Sequence, residues 1–282
     1  MDRLRYLGKW HRFILVWYNR TEYRDLYEEE SEMPSLYDRA DIYDLIETDD
    51  RFDTYRQHWK CILQDVDIHS LLDVSIGSGN VTLPLAELGV ELCGSDLSKA
   101  MLDNCRKKAD RLGYAVKLQQ SDFRDLRCWQ DKKFDCVAST GNSLAHVTNS
   151  EVLDALAQMD SLVAEGGYLY IDTRNWDRIL QERQRFYLYN PFFDGETRVN
   201  LMQVWDYLGD GSMIFNLLYT FEKNNRIFQK EIFEEHYYPL SRKLLLSGLA
   251  ELGYQEVRQF CFPACFAWKA EDAEWYCVLA KK

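Results

Sequence analysis

The sequence predicts an α/β fold: a mostly parallel sheet with helices on both faces, interrupted after its fifth strand by an antiparallel β insertion. Three observations carry this expectation. From Leu71 onward short apolar runs alternate with amphipathic stretches, the pattern of βαβ units around a parallel sheet. The first apolar run breaks into a glycine loop, LLDVSIGSG over 71–79, and an acidic residue, Asp96, ends the next run seventeen positions after Gly79. Between 186 and 238 aromatic and β-branched residues alternate with polar ones, as in antiparallel strands.

Taken in order, residues 1–35 hold Glu28-Glu29-Glu30 with Trp10, Trp17 and Tyr18 but no clear period, and are expected to form an arm of uncertain order or an oligomer contact. Residues 36–282 are expected to form one domain. Its strands fall at 71–75, 90–94, 115–119, 134–139 and 168–173. A helix-like stretch follows the glycine loop at 81–88. Met101, Cys105, Ala109 and Leu112 recur at helical spacing, as do Val152, Leu156, Met159 and Val163, so each set gives a helix one apolar face. Thr148 and Glu151 form a capping box that starts the second of these helices, and Gly166-Gly167 is expected to stop it. The insertion spans 184–238, with turns at Asn190-Pro191, Gly209-Asp210-Gly211 and Asn224-Asn225. A helix over 241–252 and a hairpin of 254–262 with 274–280 close the sheet.

A chain of 282 residues with 46% hydrophobic content can bury a large core. Its net charge of -12 argues against phosphate backbones as partners, so no nucleic acid is expected. The eight cysteines include no CxxC pair, which suits reduced thiols in a cytoplasmic protein. Cys261 and Cys265 lack the second pair or histidine cluster that a zinc site needs, so no metal is expected. The apolar run 13–18 is too short to cross a membrane.

Glycines let the backbone approach a ligand, and an acid at the tip of the next strand can accept both hydroxyls of a ribose, so the loop and Asp96 point to a nucleotide-like cofactor. The dinucleotide fingerprint requires glycine at the sixth loop position, where this chain has Thr82. From Asp73 the stretch D-x-S-x-G-x-G instead resembles the first motif of class I S-adenosylmethionine (SAM)-dependent methyltransferases. The resemblance implies a Rossmann-like class I methyltransferase fold, with a mostly parallel seven-stranded sheet, and SAM as cofactor. On that fold the residues after each strand face the ligand. Ser75, Gly77 and Gly79 are expected beside the methionine part of SAM, Asp96 at the ribose, and Leu97 and Met101 on the adenine face. Asp122 is expected at the adenine amino group with Phe123 against the ring; Asp122 is equally suited to capping a helix.

The fourth strand is followed by Thr140-Gly141-Asn142-Ser143-Leu144-Ala145-His146, and the fifth ends in Asp172-Thr173-Arg174-Asn175-Trp176-Asp177. These segments resemble glycine N-methyltransferases and the related glycine/sarcosine methyltransferases, in order from about Arg51 to Tyr238, including Tyr219 and Tyr237-Tyr238-Pro239. The resemblance implies an acceptor site built from Asn142, Arg174, Tyr219 and Tyr238, with Ser143, His146 and Arg51 on the cofactor. The chemistry agrees, since an arginine past a buried strand can hold a carboxylate by two parallel hydrogen bonds. The Asn142 carbonyl can accept from the acceptor amine. Arg174 has the alternative of pairing with Asp172 or Asp177, and His146 suits a structural or SAM-carboxylate contact better than a general base. Ser35-Leu36-Tyr37-Asp38, Tyr43 and Trp59 are candidates for closing the site. The expected function is methyl transfer from SAM to the nitrogen of glycine or a relative such as sarcosine. The alternatives are another small carboxylate-bearing acceptor, or SAM binding without turnover.

Overall fold

The computed structural model describes residues 35–282, so the expected N-terminal arm lies outside the described residues except for Ser35. The Ser35 side chain caps a 3-10 turn over Leu36–Asp38, and helix α1 (Ala40–Tyr43) and a second such turn over Asp44–Ile46 follow. Helix α2 (Asp49–Ile62) is capped by Thr48 and leads into the sheet.

The α/β layer is built from β1 (Ser70–Asp73), β2 (Glu91–Asp96), α3 (Lys99–Leu112), β3 (Val116–Gln120), β4 (Phe134–Ser139), α4 (Asn149–Leu162) and β5 (Val163–Arg174). Ser98 caps α3 and Gly113, in the left-handed region, ends it; Met101, Leu102, Cys105 and Ala109 bury one face. Both halves of the Thr148–Glu151 capping box form at the start of α4. Two expectations need correction. Residues 81–88 form only a 3-10 stretch over Leu83–Leu88, with Pro84 in its first turn lacking an N–H to donate. Helix α4 ends at Leu162 without help from Gly166-Gly167, and both glycines lie inside β5. A Cβ on Gly167 would stand 2.8 Å from the Asp135 carbonyl oxygen, so close approach of β4 is what requires glycine there.

The seven-stranded sheet has the order β11-β12-β5-β4-β1-β2-β3, where β11 (Glu256–Cys261) and β12 (Trp275–Lys281) form the closing hairpin. Only β11–β12 and β12–β5 are antiparallel. The strand order reverses between β1 and β4, so the loops leaving their carboxyl ends part and open a crevice.

After α5 (Trp176–Glu182) come β6 (Phe186–Leu188), β7 (Phe192–Asp194), β8 (Thr197–Tyr207), β9 (Met213–Lys223) and β10 (Arg226–Tyr237). They form a second, antiparallel sheet of order β10-β9-β8-β6, with β7 paired to β8. From Met213 to Glu222 strand β9 alternates between buried and half-buried residues, and its inward set Phe215, Leu217 and Tyr219 joins the core cluster that holds Leu144 and Trp176. Asn224 and Asn225 both adopt positive φ at the β9–β10 turn, which asparagine tolerates better than most residues. Helix α6 (Arg242–Glu251) returns the chain to the first sheet. Among the described residues no helix is long and apolar enough to cross a membrane.

Candidate active site

Two cavities lie at the carboxyl ends of the parallel strands, one of about 620 Å³ lined by Ser75, Asp96, Leu97, Asp122, Phe123, Ser143 and His146. The other, of about 470 Å³, is lined by Arg51, Asn142, Arg174, Tyr219 and Tyr237. Tyr37 borders both.

The first cavity is organised by carboxylates that hold backbone. Asp73, buried at the end of β1, accepts hydrogen bonds from Ser75 N at 3.0 Å, Thr140 Oγ1 at 2.7 Å and the Thr82 hydroxyl, tying the loop after β1 to the loop after β4. Burial pushes its carboxyl up to about 6. The Ser75 hydroxyl lies 3.0 Å from Ser139 Oγ and accepts from Thr140 N at 3.1 Å, so it too works as a strut. Gly77 has φ +54° and open space where a Cβ would stand, whereas a Cβ on Gly79 would lie 2.7 Å from Cys105 Sγ. Gly77 therefore offers its backbone to the crevice, and Gly79 serves the packing of α3. Asp96 Oδ2 accepts from Gly77 N and Oδ1 from Ser98 N, both at 2.8 Å. Each oxygen keeps a further lone pair for a ligand hydroxyl.

Leu97 stands 66% exposed at the cavity mouth, but Met101 is fully buried in α3 and lines neither cavity. The expectation that Met101 touches adenine is corrected, because the first turn of α3 directs it into the core. Asp122 caps no helix; both its oxygens are held by Arg124, whose Nη2 is 2.6 Å from Oδ2 and whose Nη1 is 2.5 Å from Glu151. Ser143 Oγ donates to Thr140 O at 2.7 Å. His146 Nε2 lies 2.9 Å from the Tyr37 hydroxyl, with its ring 4.4 Å from that of Tyr237, and burial pushes its pKa down to about 4.

Arg174 ends β5 and is 8% exposed. Its guanidinium carbon lies 4.8 Å from the ring centre of Trp275, 5.5 Å from Phe215 and 5.7 Å from Trp205. The alternative of a structural ion pair is not realised. Asp172 Oδ1 accepts from Gly141 N at 2.8 Å, Asp177 Oδ2 from Arg242 N at 3.0 Å, and among the described residues no carboxylate lies within ion-pair distance of Arg174. A cation buried between aromatic faces and facing a cavity is arranged to receive an anion.

Asn142 adopts φ +67° and its Oδ1 accepts from Thr173 Oγ1 at 2.8 Å, Trp176 Nε1 at 2.9 Å and Arg174 N at 3.1 Å. Three donors saturate that oxygen, so it does not serve as acceptor for a ligand amine; its side chain fixes the backbone from which Arg174 projects. Tyr219 lines the second cavity from β9. Tyr238 does not: β10 ends at Tyr237, its inward residues are Phe233, Glu235 and Tyr237, and Tyr238 lines the first cavity with its N–H on Ala145 O at 2.7 Å. Arg51 lines the second cavity, its Nη2 donating to the Tyr55 hydroxyl at 2.7 Å and its Nε 3.3 Å from Glu47 Oε2. Trp59 is fully buried and donates to Val81 O, so it closes nothing, whereas Tyr37 and Tyr43 do line the second cavity. Sequence reasoning missed Tyr187, Tyr189, Gln203 and Glu235, all at this cavity. Strand alternation was the one signal that could have found them.

Residues 71–167 match the methyltransferase domain family. The glycine/sarcosine N-methyltransferase of Aphanothece halophytica is 26% identical over 214 residues, 75% of this chain and 76% of the relative. That of Parasynechococcus marenigrum is 31% identical over 121 residues, 43% of each chain. The crystal structure of an S-adenosylmethionine-dependent methyltransferase from Clostridium acetobutylicum superposes with a TM-score of 0.68 at 16% identity, covering 86% of this chain and 97% of that one, and so shares the fold. The domain match over the crevice, these relatives and the shared fold support a class I SAM-dependent methyltransferase, with S-adenosylmethionine as the cofactor.

Proposed function

We propose that this methyltransferase acts on the amine nitrogen of glycine or a close relative such as sarcosine. The observation that carries the reading is Arg174, a buried guanidinium without a carboxylate partner among the described residues, facing a tyrosine-lined cavity beside the cofactor crevice. An acceptor carboxylate would complete it with two parallel hydrogen bonds, and lysine geometry could not do the same. The glycine/sarcosine methyltransferases among the relatives support the same acceptor class.

In this reading Asp96 holds the ribose of SAM, the backbone at Gly77 lies along its methionine part, and Leu97, Asp122 and Phe123 border the adenine. Ser143 and His146 shape the floor, and Arg51 meets the SAM carboxylate where the two cavities approach Tyr37. SAM supplies a methyl on an activated sulfonium. The chain's residues then have only to align donor and acceptor, which accounts for roughly 7–11 kcal/mol of a barrier in well-oriented systems. Tyr219 and Tyr237 exclude water from the acceptor, and Asn142 holds Arg174 in place. A panel of small amines, amino acids and carboxylates, read by release of S-adenosylhomocysteine, tests this. Turnover confined to acceptors without a carboxylate would overturn it. A cavity of about 470 Å³ exceeds the needs of glycine, which favours testing longer amino acids in the same panel.

A further inference from the structure

One carboxylate at the acceptor cavity breaks the pattern of its strand. The inward face of β10 presents Phe233, Glu235 and Tyr237, so Glu235 occupies an apolar position, and it is only 6% exposed. Burying a carboxylate is costly unless its lone pairs are used. Half of this one is used: Oε1 accepts from Leu36 N at 2.8 Å and Ser35 Oγ at 2.9 Å. Among the described residues Oε2 has no hydrogen-bond or ion-pair partner, and Glu235 lines the cavity. Burial holds its carboxyl above the usual range, as for a group that lacks a counter-charge. The other carboxylate at the cavity, Glu47, already has Arg51 at 3.3 Å.

Glu235 and Arg174 are brought to one place by register. Glu235 is the cross-strand partner of Phe215, whose ring lies under the Arg174 guanidinium at 5.5 Å. Directly opposed residues of antiparallel strands point to the same face, so the cation and the half-used carboxylate share one wall of the cavity. A short zwitterion matches that pair of charges.

We propose that Glu235 receives the amine of the acceptor: with the acceptor carboxylate on Arg174, an N–H of the acceptor nitrogen donates to Glu235 Oε2, which turns the nitrogen lone pair away from Glu235 and selects amino acids over plain carboxylates. This rests on the amino-acid reading above and gives Glu235 the part that the saturated Asn142 oxygen does not play. It is a specificity-determining residue, distinct from the anchor it makes for residues 35 and 36.

The test uses the full chain saturated with S-adenosylhomocysteine and titrated calorimetrically with glycine and with acetate, which keeps the carboxylate and lacks the amine. Wild-type protein is expected to bind glycine at least about tenfold more tightly than acetate, the gain from a hydrogen bond to a charged group; equal affinities overturn the proposal without any variant. Glu235→Gln keeps an oxygen for Leu36 and Ser35 but replaces Oε2 by a donor. It is expected to lose the preference for glycine, to leave acetate affinity unchanged, and to raise the acceptor KM about tenfold at unchanged SAM affinity. If glycine and acetate weaken together, Glu235 acts only through its anchor and the proposal falls. If wild-type protein methylates amino acids and Glu235→Gln keeps wild-type glycine affinity, the assignment to Glu235 fails alone. If wild-type protein methylates no amino acid in the panel, the amino-acid reading fails and takes the proposal with it.

Discussion

A guanidinium stacked between Trp275, Phe215 and Trp205 keeps its charge in a dry place, and only a planar, weakly hydrated cation suits that slot. Arg174→Lys is therefore expected to leave SAM affinity within about twofold while raising the acceptor KM on the order of 10–100-fold, the range for losing a charged hydrogen-bond pair. An acceptor KM at the wild-type value would make Arg174 structural. His146 makes the opposite case. With its pKa pushed down to about 4 by burial and its Nε2 beside the Tyr37 hydroxyl, it is already neutral near pH 7 and its protonation state does not change there. The rise of kcat/KM with pH should then belong to the acceptor amine, and His146→Gln should lower activity while keeping that rise; its disappearance would identify His146 as the general base. Residue types were legible in the sequence, but their use was not. Nothing in the string distinguishes Tyr237 from Tyr238, because one residue decides the face. The irregularity in pairing between Ile227 and Gln229 further hides that parity. The donors that saturate Asn142 come from residues more than thirty positions away.

Local chemistry decided the elements, and here the sequence spoke plainly where a periodic face coincided with a cap. Helix α4 is the clearest instance: Thr148 and Glu151 close a capping box, and Glu151 also pairs with Arg124, which grips Asp122 at the cofactor crevice. One box thus fixes a helix end and steadies a loop that lines the cavity. Thr148→Ala is expected to cost about 1 kcal/mol in urea unfolding, the usual loss for an N-cap hydroxyl. A change below about 0.3 kcal/mol would show the cap to be redundant with the tertiary packing of Val152, Leu156 and Met159. Where the sequence misled, tertiary demands were the cause. The helix over 81–88 gives way to a 3-10 stretch around Pro84, and of Gly166-Gly167, which read as a helix stop, Gly166 takes a positive φ in open space while Gly167 lies where β4 and β5 come too close for a side chain. The insertion was legible as strands because its residues alternate, as the burial pattern of β9 from Met213 to Glu222 shows.

The strand order places every expected loop at one end of the sheet, and its reversal between β1 and β4 creates the crevice that the glycine loop and the segment after β4 share. Folding that crevice shut also buries titratable groups whose effects on stability oppose one another. Burial pushes His146 down to about 4 and His58 to about 3, so below the ordinary histidine value near 6.5 the unfolded chain takes up protons that the native state refuses. Stability from these two is lost as pH falls from about 6.5 toward 4. Burial pushes Asp73 up to about 6 and Asp172 up to about 8, so above pH ~4 the unfolded chain releases protons that the native state retains. Stability from these two is lost as pH rises, until about 6 for Asp73 and about 8 for Asp172. Between pH 4 and 6 the pairs largely offset each other. From 6.5 to 8 Asp172 is the one of these four groups still titrating in the native state, at up to about 1.4 kcal/mol per pH unit. Urea unfolding at pH 6.5 and 8 should therefore show the protein less stable at the higher pH. Asp172→Asn, whose side-chain oxygen can still accept from Gly141 N, should remove most of that slope. Stability that rises from pH 6.5 to 8 in the wild-type protein would mean that Asp172 is ionised in the native state and that its bonds to Gly141 and Tyr170 outweigh its burial.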